Sequence, residues 1–176
     1  MGASTFLTLS SPWTRALAPA EHMDALQEGL SARLASTSVG NPRDEATRMG
    51  ALVSTAQRDD VRARIAELAA GGARIVAGDP EADPGPAGGA FLSPVLLRTD
   101  DPWNSNAVHD VEAFGPVSTI MPYRDLADAV ALANRGKGSL ALSLFTHDPA
   151  TARDFVATKY RSASAASSPP GPSPGS

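Results

Sequence analysis

Val117-Ser118-Thr119-Ile120-Met121-Pro122-Tyr123, followed by Arg124-Asp125 and then Leu126, Val130 and Ala133, is the stretch that decides the fold class. The first seven residues read as a strand. Asp125 can cap a helix that carries the three apolar residues on one face, and Gly136 stops it. Ser139 to Thr146 then alternates, with Leu140, Leu142 and Leu144 on one side, as a second strand does. Asp148-Pro149 opens a last helix bearing Ala152, Phe155 and Val156. Strands interleaved with helices of ten or more residues predict an α/β fold, a layered sheet with flanking helices. The order of the strands does not follow from periodicity.

Upstream the same alternation continues. Pro19 can open a helix at its first turn, after which Met23, Leu26, Leu30 and Leu34 recur at spacings of three and four. Gly40-Asn41-Pro42 ends that region. Ser54 with Gln57 forms a capping box ahead of Val61, Ile65 and Leu68, and Gly71-Gly72 stops this second helix. Ala73 to Ala77 predicts a short strand around Ile75-Val76. Gly78 to Gly89 is crowded with Gly, Pro and acidic residues and predicts an exposed loop. Phe91 to Leu97 reads as a further strand, with Pro94 marking an edge or a bulge.

The two ends differ from this middle. Met1 to Ala18 shows no sustained period, and residues 159–176 close in Ser, Ala, Pro and Gly. Such a tail cannot bury enough apolar surface to offset its ordering entropy, so disorder is expected there. The expected organisation is therefore an N-terminal segment 1–18, a domain 19–158 and a tail 159–176. A chain of 176 residues, 42% hydrophobic and 19% charged, has the composition of one globular domain. A net charge of −4 argues against a reader of the nucleic-acid backbone. No signal peptide, lipidation motif or membrane-spanning run is legible, so a cytoplasmic location is the expectation.

Self-contained chemistry is scarce. With no cysteine, disulfides, thiolate metal sites and a cysteine nucleophile are all excluded. There is no G-x-S-x-G elbow. Gly136-Lys137-Gly138-Ser139 falls short of a phosphate loop, because the earlier glycine is Ala131 and the lysine is followed by Gly. His109, Asp110 and Glu112 lie close together, but neither their spacing nor a fourth ligand defines a metal site. His147 beside Asp148 reads as part of a helix start.

Met49-Gly50-Ala51-Leu52-Val53, with Gln57-Arg58 and Val61 after it, resembles the M-G-P-L-V…Q…V segment of the aldehyde dehydrogenase superfamily. Gly72-Ala73, Gly78, Phe91 with Pro94, Glu112-x-Phe114-Gly115-Pro116-Val117, Ala133-Asn134 and Phe145-Thr146 follow in that family's order. The resemblance covers roughly residues 19 to 158. It implies a partial aldehyde dehydrogenase catalytic domain. Ala107-Val108-His109, Glu112-Ala113-Phe114 and Gly138-Ser139-Leu140 are similar to one branch. Those are the bifunctional phenylacetate-degradation enzymes, whose dehydrogenase half oxidises a ring-opened CoA semialdehyde.

In that family a Cys thiolate attacks the aldehyde, hydride passes to NAD or NADP held by a Rossmann-type domain, and water releases the acid. The resemblance assigns two cofactor-binding positions here. Glu112 corresponds to the acid that hydrogen-bonds the nicotinamide ribose hydroxyls, and Phe114 to the aromatic beside that ribose and the nicotinamide. No catalytic residue carries over, because the place of the family's Cys falls in Met1 to Arg15. Nor does the cofactor domain. The expectation is a truncated or frame-disrupted copy, inactive alone. The alternative is a non-catalytic module that pairs with an intact dehydrogenase subunit as a homo- or hetero-oligomer.

Overall fold

The computed structural model describes residues 6–10, 14–136 and 141–166, with side chains placed for 15–136 and 143–158. The described strands are β1 (Phe6–Ser10), β2 (Thr14–Pro19), β3 (Arg74–Ala77), β4 (Val95–Arg98), β5 (Val117–Tyr123) and β6 (Ala141–Phe145). They form one sheet in the order β3-β4-β5-β2-β1-β6. At its centre β4, β5 and β2 run parallel, with Val95 opposite Val117 and Ala16 opposite Ile120. Towards the two edges β3, β1 and β6 pair antiparallel. The helices are α1 (Met23–Ala35), α2 (Thr55–Ala70), α3 (Ala107–Asp110), α4 (Leu126–Arg135) and α5 (Pro149–Ala166).

Side chains alternate across a strand, so each central strand feeds two cores. On one face Ala18, Leu96 and Ile120 meet Met23, Leu26, Leu30 and Leu34 of α1. On the other, Leu17, Val95, Leu97, Val117 and Met121 meet Val61, Ile65 and Leu68 of α2, Val130 and Ala133 of α4, and Phe155 of α5. This is the layered α/β arrangement expected from the sequence. β5 and the two capped helices stand where they were predicted. Ser54 Oγ accepts from Gln57 N at 3.1 Å, and Asp125 Oδ1 accepts from Asp128 N at 2.8 Å. Gly72, at φ +100°, ends α2, with Ala73 N donating to Leu68 O and Gly72 N to Ala69 O.

Four expectations change. Residues 1–18, without a readable period, include β1 and β2, and β2 pairs with the central strand β5. Pro19 does not sit in the first turn of α1. It ends β2 at ψ 139°, and a 3₁₀ turn, Ala20–His22, intervenes before the helix. β4 starts at Val95, after Pro94 rather than across it, because proline has no N–H for the ladder. α5 runs to Ala166, beyond residue 158, since Ser and Ala are tolerated in a helix and the first proline comes only at Pro169. Lys137-Gly138-Ser139-Leu140 and the Pro-rich residues from 167 onward lie outside the described residues. Among the described residues no helix is long and apolar enough to cross a membrane.

Candidate functional site

Glu112 and Phe114 stand on one short turn between α3 and β5. Val111 N donates to Ala107 O at 2.9 Å, closing α3, and the chain then folds tightly on itself. Gly115 N donates to Ala113 O at 2.8 Å and Val117 N to Gly115 O at 2.8 Å. Val95 N donates to Pro116 O at 2.9 Å, which joins the end of the turn to β4. A Cβ at Gly115 would lie 2.8 Å from both methyl groups of Val61, so only glycine lets the turn come this close to α2.

The turn leaves chemical capacity open. Phe114 is 53% exposed, high for a phenylalanine in a domain of this size. Glu112 is half-buried, and its carboxylate has no hydrogen bond or ion pair with another described residue. Beside them Val53 is 94% exposed, at the end of the Met49–Val53 stretch. Gln57 joins the two strips: its Nε2 donates to Phe114 O at 2.8 Å, and its Oε1 accepts from Val53 N at 3.1 Å. An unpaired carboxylate beside an exposed ring can accept hydroxyl protons while offering an apolar wall.

Of the nearby candidates, His109 is committed elsewhere. It is 2% exposed, with Arg15 Nη1 2.9 Å from Nδ1 and Pro102 O 2.7 Å from Nε2. Arginine can only donate and a carbonyl can only accept, so Nδ1 is the acceptor and Nε2 carries the proton. Burial holds this imidazole below its usual pKa. The Arg15 and Arg135 charges add to that, while the Pro102 carbonyl pulls the other way. Asp148 caps α5 by accepting from Ala150 N at 2.9 Å and Thr151 Oγ1 at 2.7 Å, which fits the helix start read at His147-Asp148. Among the described residues no three His, Asp or Glu side chains cluster as metal ligands do.

Comparison with known proteins decides the family. The sequence model of the aldehyde dehydrogenase family matches residues 10–162, beginning inside the segment that the sequence set apart. The chain belongs to the aldehyde dehydrogenase family. It is 43% identical over 145 residues to a 3,4-dehydroadipyl-CoA semialdehyde dehydrogenase from Aromatoleum evansii, covering 81% of this chain and 28% of that protein. It is 48% identical over 108 residues to Protein MaoC from Klebsiella aerogenes, covering 61% and 32%. Among solved structures, betaine aldehyde dehydrogenase from Staphylococcus aureus in complex with NAD+ superposes with a TM-score of 0.68 at 26% identity, covering 82% of this chain and 28% of that one. The chain spans about a third or less of the length of these relatives.

The sequence singles out Glu112 and Phe114 as site residues and gives Gln57 a place in the helix cap and the family-like stretch, but no role at the site. The signal for more was present: Gln57 lies in the family-like stretch. Its reach to Phe114, 57 positions away, depends on how β5 and α2 pack.

Proposed function

We propose that the Glu112–Val117 turn forms one wall of a nicotinamide nucleotide site in an NAD(P)-dependent aldehyde dehydrogenase. Supporting this is the pairing of an unpaired carboxylate and an exposed aromatic ring on a turn that Gly115 presses onto α2. These residues fit the group. Glu112 would accept the ribose hydroxyls, and Phe114 would cover the apolar edge of the ribose and nicotinamide. The bound dinucleotide supplies a hydride acceptor for aldehyde oxidation. Glu112 and Phe114 would orient the sugar and exclude water there.

The substrate class that best fits is a CoA-linked semialdehyde of phenylacetate catabolism. The name of the 43% identical relative supports a CoA-linked semialdehyde, and the resemblance carried by Glu112-Ala113-Phe114 supports the phenylacetate branch. The chain by itself would be inactive, since it has no cysteine and so no thiol for acyl transfer. Purified chain should therefore reduce neither NAD nor NADP with any aldehyde.

The site is tested by placing residues 40–156 in an active homologue in place of the matching segment and changing Glu112→Gln. The exchange keeps size and removes the charge that strengthens both hydroxyl bonds. Hydrogen bonds to charged groups contribute about 1.5–3 kcal/mol, so dinucleotide affinity or turnover should fall roughly tenfold or more. Phe114→Ala should loosen nicotinamide placement. Glu45→Gln, on an exposed loop, should leave kinetics unchanged. Unchanged binding and turnover in Glu112→Gln would show that Glu112 is a solvated acid and nothing more.

A further inference from the structure

We propose that Gln57 is a positioning residue for the Glu112–Phe114 turn, its side-chain amide setting the height at which that turn stands above α2. Its functional meaning rests on the nucleotide-site reading above.

Three observations carry it. The turn cannot be held by its own ring, because Phe114 is exposed. Its internal bonds, Gly115 N to Ala113 O and Val117 N to Gly115 O, tie it to itself and fix nothing relative to the helix. Among the described residues, the bond from Gln57 Nε2 to Phe114 O is the one hydrogen bond that joins the backbone of residues 112–115 to another element. One helical turn further on, Val61 takes the close approach of Gly115. Gln57 and Val61 are four apart on one helix face, so a hydrogen bond and a packing contact fix the turn to α2 at two points.

The amide is itself oriented. Oε1 must face the Val53 N–H, and Nε2 must face the Phe114 carbonyl. Its own N–H is taken by Ser54 Oγ. A single side chain therefore registers Val53, the start of α2 and the Phe114 turn against one another. Gln57 does more than cap a helix, because a cap needs no acceptor 57 positions away.

The two arms can be cut separately in the full chain. Gln57→Glu keeps the acceptor for Val53 N and replaces the donor with a carboxylate oxygen that repels Phe114 O. Gln57→Lys keeps a donor and removes the acceptor. The measurement is residue-resolved amide hydrogen exchange of the ligand-free chain. In Gln57→Glu, Gly115 and Val117 should exchange about tenfold faster at neutral pH while Val53 keeps its protection. Lowering the pH protonates Glu at position 57, which then donates to Phe114 O. After correction for intrinsic rates, protection of Gly115 and Val117 should return. Gln57→Lys should reverse the pattern, exposing Val53 and sparing the turn.

Unchanged exchange at Gly115 and Val117 in Gln57→Glu overturns the proposal, as does equal loosening of Val53 and the turn in both variants. Should Gln57→Glu fail to fold, Gln57→Lys still decides: loss of protection at Gly115 in that variant refutes the donor role. No nucleotide enters the experiment, so its failure leaves the ribose reading to the Glu112→Gln test.

Discussion

His109→Ala removes one of the most enclosed polar groups in the protein. The imidazole is 2% exposed and fully hydrogen-bonded: Arg15 Nη1 donates to it at 2.9 Å, and it donates to Pro102 O at 2.7 Å. Gly136 packs directly over the Arg15 guanidinium. Losing a charge-assisted bond and a neutral one, and opening a cavity of ring size, should together cost about 3–5 kcal/mol. That is a large share of a typical domain's stability. His109→Gln should recover part of the loss, because its amide can both accept from Arg15 and donate to Pro102 O. Urea unfolding followed by tryptophan fluorescence measures both, since Trp103 lies under Arg135 with the guanidinium 5.3 Å from the ring centre. The pH dependence follows from the same geometry. Burial keeps the folded-state imidazole pKa below that of the unfolded chain, so its contribution is complete above about pH 6.5. It declines as pH falls below that and levels off beneath the folded-state pKa. Loss of less than about 1 kcal/mol in His109→Ala, or stability flat from pH 7.5 to 5.5, would mean that the buried imidazole does not carry this stability.

Gly115→Ala should destabilise the fold by about 1–3 kcal/mol, because Val61 is fully buried and both its methyls block the new Cβ. Val61→Ala should restore part of that loss, as thermal denaturation of the double variant will show. Asp128 accepts from Arg124 Nη2 at 2.9 Å and Trp103 Nε1 at 2.9 Å, and Arg124 holds its carboxyl below the usual range. Its stabilisation is present above the ordinary carboxylate pKa and lost as pH falls through the lower folded-state value. Asp128→Asn should flatten that acid limb in a pH series of urea midpoints. Arg62 Nε donates to Pro80 O at 2.6 Å, and Nη2 reaches Glu81 O and Asp83, so Arg62→Met should release the Gly78–Gly89 loop to faster proteolysis without unfolding α2.

Local chemistry made much of the fold legible. Val117–Tyr123 is bounded by a tight turn and a capping Asp125, and Ser54 and Gly72 mark the ends of α2 through hydrogen bonds made within a few residues. What escaped depends on distance. β1 and β2 are short, and what makes β2 a strand is its parallel pairing with Val117–Tyr123, about a hundred positions away. The Gly78–Gly89 loop reads as exposed from its Gly, Pro and acids. Arg58 and Arg62, one helical turn apart on α2, nevertheless lace it down, and Gly85 and Gly89 close over the Phe91 ring. For the site, Glu112 and Phe114 were visible through family resemblance alone. A lone acid and an aromatic near a glycine have no chemistry of their own in sequence. Gln57 showed only its local, capping half.

The nucleotide-site proposal places the nicotinamide ribose on this turn. A crystal structure of the active hybrid carrying residues 40–156, with the dinucleotide bound, tests it most directly. Both ribose hydroxyls should lie within hydrogen-bonding distance of the Glu112 carboxylate and the Phe114 ring against the nicotinamide, with Gln57 still bound to Phe114 O. A dinucleotide bound with its ribose away from Glu112, or a carboxylate turned to solvent in the complex, would contradict it.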